Sequence, residues 1–204
     1  MKGIIIGTGA AAALAVGAGY TAIADEGRDR PAAAAQRQER TVTTLSGYEL
    51  DADVKSAAAF SGNDLIFDGT VAGPAEQPRR VVRRLPSGGT IDYVYTPVPV
   101  RVDRVRKGKG IAPGQVVRVR ALGGTSGSHS TFSSLGPRAA EFGNGLRVTL
   151  FTQPQLDAGD GQPAITPNFS FGYTADQKTV YNLGGEHRKT TTAQHFQQAL
   201  RRVR

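Results

Sequence analysis

The chain has 204 residues, enough for one domain plus an extension. It holds no cysteine and no tryptophan, 26 glycines and 11 prolines, and a formal net charge of +8. That composition excludes a disulfide framework, a thiolate zinc site, a thiol nucleophile and a lipid-modified cysteine, and it favours short elements joined by turns.

Up to Ala24 the chain carries a single charge, Lys2, and no acid. Ile4, Ile5, Ile6 and an Ala/Leu/Val/Gly run follow, ending Thr21-Ala22-Ile23-Ala24 before Asp25 and Glu26. A basic start, an apolar middle and an Ala-x-Ala site form the pattern of a secretory leader. Residues 1–24 are therefore expected to be a signal peptide cleaved after Ala24, with the mature chain secreted or held at the cell surface. The alternative is an uncleaved anchor, since the run approaches the roughly 20 residues a span requires; no other membrane attachment is expected. Gly7, Gly9 and Ala12 follow Ile4–Ile6 with the spacing of a dinucleotide fingerprint. Gly17 and Gly19 break the helix that fingerprint needs, and no strand–helix alternation follows, so no cofactor is expected.

Residues 25–45 are expected to be a flexible linker. Asp25–Arg40 is polar and Ala-rich with no aromatic, so it cannot bury enough apolar surface to offset ordering. The domain is expected from Ser46 to the C-terminus. Asp51 or Asp53 can cap a short helix running through Phe60. In Leu65–Val71, the side chains of Leu65, Phe67 and Val71 alternate with Asp68 and Thr70, which reads as a half-buried strand. In Thr90–Val105 the alternation is longest. Val94, Thr96, Val98, Val100 and Val102 share one face, and Tyr93, Tyr95, Pro97, Pro99, Arg101 and Asp103 the other. Pro97 and Pro99 donate no ladder hydrogen bond and predict an edge or a bulge. Further strands are predicted at Gln115–Ala121, Leu146–Thr152, Asn168–Thr174 and Lys178–Leu183, with Gly/Ser-rich loops at Gly123–Ser134 and Asp157–Gln162. Thr190–Arg204 reads as a helix with Ala193, Phe196, Leu200 and Val203 as its apolar stripe. The expected fold is mainly all-β: a small antiparallel OB-like barrel with a short N-terminal helix and a C-terminal helix.

The segments Leu65–Val71, Val100–Gly108 (ending Arg106-Lys107-Gly108), Gln115–Val119 with Gly123-Gly124, Leu146–Phe151 and Tyr181–Gly185 come in the order of a group of bacterial secreted domains. That group resembles netrin-like domains and the inhibitory domain of tissue inhibitors of metalloproteinases, which are OB-fold-like barrels. The resemblance covers roughly Leu65–Gly185 and implies the barrel. This chain lacks the cysteines those animal domains use, so a protease-inhibitor role does not carry over.

No catalytic residue and no metal ligand set emerges from the spacing. His129, His187 and His195 show no ligand spacing. Asp157 and Asp160 fall short of a calcium loop and read as a polar hairpin turn. Ser126, Ser128 and His129 in the Gly-rich loop do not form G-x-S-x-G. An exported hydrolase using Ser128 and His129 is the alternative reading, and it requires a buried carboxylate near His129.

Charge is the more informative signal. Between Arg79 and Arg120 lie eleven basic residues, Arg79, Arg80, Arg83, Arg84, Arg101, Arg104, Arg106, Lys107, Lys109, Arg118 and Arg120, against Asp92 and Asp103, a local charge of +9. Arg101 shares a strand face with Tyr93 and Tyr95, and Arg118 and Arg120 are expected to face outward from the next strand. Arginines clustered on a sheet face with aromatics are a footprint for polyanions. The same residues can instead solvate the face and guard an edge against aggregation. The expected function is an exported, non-enzymatic binding or interaction domain. Its expected partner is an anionic cell-envelope polymer or an envelope protein, and no specific nucleic acid is predicted.

Overall fold

The computed structural model describes residues 41–45, 53–60, 62–134, 136–153, 156–184 and 189–202. The expected leader, the spacer up to Arg40, the expected start at Ser46, Asp51, His187 and Val203 lie outside the described residues. The molecule is mainly β, with one helix before the main sheet, α1 (Val54–Ala59), and one after it, α2 (Ala193–Leu200). Asp53 caps α1: its Oδ1 accepts the Ser56 N–H at 2.8 Å, satisfying a donor the first turn leaves free.

The main sheet is built around β2 (Leu65–Val71), which lies antiparallel between β4 (Thr90–Lys107) and β8 (Arg147–Thr152). The half-buried expectation for β2 is corrected here, because both of its faces are covered. Leu65, Phe67 and Val71 join Val98, Val100 and Val102 of β4 in one core. Ile66 joins Phe151, Phe171 and Phe196 in a second core under α1 and α2. Asp68 therefore sits inside, 2% exposed. Gly69 marks a register shift in the β2–β4 pair. A Cβ there would lie 2.6 Å from Val100 Cγ1 and 2.7 Å from the Arg101 carbonyl, so the close approach of β4 requires glycine.

The length of β4 lets it change partners on one side. From Val100 to Lys107 it pairs with β2, and from Thr90 to Tyr95 with β3 (Arg79–Arg84). Pro97 and Pro99 occupy the interval. Their carbonyls accept the N–H groups of Glu76 (2.8 Å) and Ala72 (2.9 Å) from the β2–β3 connection. A loop, and no strand ladder, faces the missing proline donors. On its other side β4 stays paired with β5 (Val116–Leu122) through this stretch.

The neighbour order runs β5, β4, β2, β8, β11 (Pro167–Tyr173), β12 (Thr179–Asn182), β13 (Thr190–Thr192). An isolated parallel bridge, Val119 to Ile165, leads from β5 back toward the start of β11. There the Ile165 N–H reaches the Arg118 carbonyl and the Arg120 N–H reaches the Ile165 carbonyl, each at 2.8 Å. The expected barrel is thus corrected to a curled sheet that is not closed. In a parallel ladder the next donors on that edge belong to residues 163 and 167, and both are prolines. The short strands β9 (Leu156–Asp157) and β10 (Pro163–Ala164) form a hairpin just before this seam, as the turn reading of Asp157–Gln162 expected.

Arg79–Arg84, to which no element was assigned, is strand β3, and three further segments differ from expectation. Thr41–Leu45, the end of the expected linker, is a strand, β1. The expected loop Gly123–Ser134 is a hairpin of β6 (Gly124–Ser126) and β7 (His129–Ser133), with β1 running parallel to β7. This small sheet hangs on β4, where Thr131 Oγ1 accepts the Val94 N–H at 2.7 Å and the Gly123 N–H reaches the Val94 carbonyl at 2.9 Å. Thr190–Thr192 is strand β13 and not helix. Its last residue caps α2 by accepting the His195 N–H on its hydroxyl. Three successive β-branched residues favour the extended backbone. Phe196 and Leu200 are buried as the stripe predicted.

Candidate functional site

The alternation of β4 sends Val94, Val98, Val100 and Val102 into the core, each 1% exposed or less. The opposite face is less open than its composition suggests. The β9–β10 hairpin covers Tyr95, which is fully buried and donates its hydroxyl to Asp160 Oδ2. Burial pushes the Tyr95 phenol up to about 12, and the bond to Asp160 adds to the shift. Tyr93 is raised for the same first reason, desolvation.

Arg120, expected to face outward, is corrected to a buried position, 5% exposed. Its guanidinium lies 5.4 Å from the Tyr95 ring centroid, and Nη1 donates to Thr166 Oγ1 at 2.9 Å. Arg106 is likewise turned in. Its Nη2 lies 2.6 Å from Asp68 Oδ2 and its Nε is within 3.0 Å of both carboxylate oxygens. This pair continues into a polar network that the sequence pattern did not reveal. Arg106 Nη2 also donates to Gln197 of α2 (2.6 Å), Gln197 donates to the Tyr173 hydroxyl (2.7 Å), and Thr149 donates to Asp68 (2.8 Å). The signal that could have found it is an aspartate inside the apolar run Leu65–Val71.

Other members of the basic cluster are matched by acids. Arg79 and Arg118 share Glu76, at 3.2 and 2.7 Å. Arg80 holds Asp92 through two hydrogen bonds, 2.9 and 2.7 Å, which keep that carboxyl below its usual range. Arg101 lies 3.5 Å from Asp103. Lys107 donates to the Asn63 carbonyl at 2.9 Å. Arg83, Arg84, Arg104 and Lys109 are exposed, with no ion pair among the described residues.

Arg83 and Arg120 meet at a cleft of about 230 Å³ between the β3–β4 ribbon and the β9–β10 hairpin. Val81, Ile91 and Tyr93 supply its apolar wall. Gln153, Thr166, Asp157 and Ala158 supply the facing wall. Val81 and Arg120 are buried at the floor, whereas Arg83, Gln153 and Asp157 are exposed at the mouth. Asp157 Oδ1 accepts the backbone N–H groups of Gly159, Asp160 and Gly161 at 2.8–3.1 Å. Those bonds, Gly159 first, hold its carboxyl below the ordinary value.

Among the described residues no carboxylate is hydrogen-bonded to His129. Ser128 Oγ approaches Nδ1 of its own sequence neighbour at 3.3 Å, and both oxygens of nearby Asp92 are taken by Arg80. His195 is exposed on α2. Among the described residues no group of three or more His, Asp or Glu side chains is placed to hold a metal ion. Comparison with family models, with curated proteins and with solved structures found no match to this chain.

Proposed function

We propose that the chain is an exported, non-enzymatic binding domain for an anionic polymer of the cell envelope, contacted along the β3–β4 ribbon. The observation that carries this reading is the position of Arg83 and Arg84. Both are exposed toward the ribbon's tip, free of the acids that neutralise Arg79 and Arg80 on the same strand. A guanidinium already bonded to a carboxylate must exchange that partner to bind another anion, whereas an open one adds its charge directly. Export is supported by Lys2, the apolar stretch and the Ala22-Ile23-Ala24 site.

The test is retention on immobilised heparin. Arg83→Gln and Arg84→Gln should each elute earlier than wild type and lower the salt slope by about one for each arginine replaced. Arg138→Gln removes the same charge from a side chain 80% exposed outside this ribbon and should elute with wild type. Equal elution of all three variants would defeat the reading. N-terminal sequencing of the exported chain should begin at Asp25.

A further inference from the structure

The cleft beside Arg83 has a chemistry of its own. Its volume, about 230 Å³, is below the roughly 300–1,000 Å³ of sites that enclose a whole drug-sized ligand, so it suits one residue of a longer molecule. Two arginines line it, Arg120 buried and Arg83 exposed. Arg120 is held in the floor by Thr166 and the Tyr95 ring, while Arg83 stands exposed at the mouth. Guanidiniums of this kind bind an oxyanion through bidentate hydrogen bonds.

The other walls narrow the choice. Asp157 lies in the lining, and a carboxylate there repels a doubly charged phosphate monoester or inorganic phosphate more strongly than a singly charged group. The same carboxylate accepts hydrogen bonds from hydroxyls, and the Gln153 amide and Thr166 hydroxyl can pair with more of them. Tyr93 and Ile91 offer an apolar wall to the C–H face of a ring. A group with one negative charge, several hydroxyls and an apolar ring face meets all of these at once. Arg83, Gln153 and Asp157 are exposed at the mouth, where the rest of a chain can leave the cleft.

We infer that the cleft between the β3–β4 ribbon and the β9–β10 hairpin is a subsite for one uronate-type residue of an acidic polysaccharide. Arg83 and Arg120 hold its carboxylate, and Tyr93 lies against its ring. This rests on the anionic-polymer reading above and names the class of polymer.

The experiment is calorimetric titration of the full chain with short galacturonate oligomers, neutral galactose oligomers and inorganic phosphate. Galacturonate should bind and the neutral oligomers should not. Arg83→Gln and Tyr93→Leu should each weaken binding by about tenfold or more, the scale of one charge-assisted hydrogen bond. Arg138→Gln should leave it unchanged, and phosphate should fail to displace it. Equal binding of neutral oligomers, displacement by phosphate, or an equal weakening in Arg138→Gln would each overturn the assignment. Heparin retention that depends on Arg84 with no galacturonate binding would remove the subsite and leave the ribbon reading standing. Loss of both would remove both.

Discussion

Asp68 of β2 and Arg106 of β4 are joined by paired hydrogen bonds on the buried flank of the sheet, with side chains 3% and 13% exposed. Neither charge has ready access to water, so each is stabilised by the other and by Thr149 and Gln197. Removing one partner leaves an uncompensated buried charge. Asp68→Ala should cost about 3–5 kcal/mol in urea unfolding, whereas the double change Asp68→Leu/Arg106→Met should recover most of that loss. A cost below about 1 kcal/mol for Asp68→Ala would show that the pair is solvated in solution.

Tyr95 makes stability depend on alkaline pH. Below pH about 10 a tyrosine is protonated in the folded and the unfolded chain alike. Because the folded Tyr95 is pushed up to about 12, the unfolded chain releases its proton first as pH rises. Stability should therefore be full below about pH 10 and fall between there and about 12. Tyr93 and Tyr173, also raised by burial, act in the same direction. Tyr95→Phe should make the decline of the urea midpoint with pH shallower without abolishing it.

Gly69 is the position where β2 and β4 come closest. Gly69→Ala places a Cβ against a valine methyl and a backbone carbonyl, neither of which can give way freely. Overpacking of this kind costs about 1–3 kcal/mol or more, read as a lower denaturation midpoint with an unchanged slope. A neutral outcome would mean that the β2–β4 register differs from the one described.

The open seam has a direct check. In Pro167→Ala residue 167 gains an N–H at the place where a parallel ladder continues past the Val119–Ile165 bridge. That amide should be protected from hydrogen exchange to a degree comparable with Ile165. Exchange at the rate of an unstructured amide would mean that proline is not what stops the ladder.

Local signals in the sequence were sufficient for much of this architecture. An aspartate cap at Asp51 or Asp53, the approximate spans of β2, β4, β5, β8, β11 and β12, the turn at Asp157 and the buried stripe of α2 all follow from short-range backbone preference and periodicity. A period of two states which side chains share a face, and for Val98, Val100 and Val102 that was enough to place the core. It does not state what lies against a face. Only the tertiary structure decided that the β9–β10 hairpin covers Tyr95 and Arg120, and that Glu76 stands between Arg79 and Arg118, 42 residues away in sequence. It also decided that Asp68 draws Arg106 inward from 38 residues away. The charge of an arginine is local, whereas its exposure and its counter-ion depend on distant segments, and those separate Arg83 and Arg84 from the rest of the basic cluster.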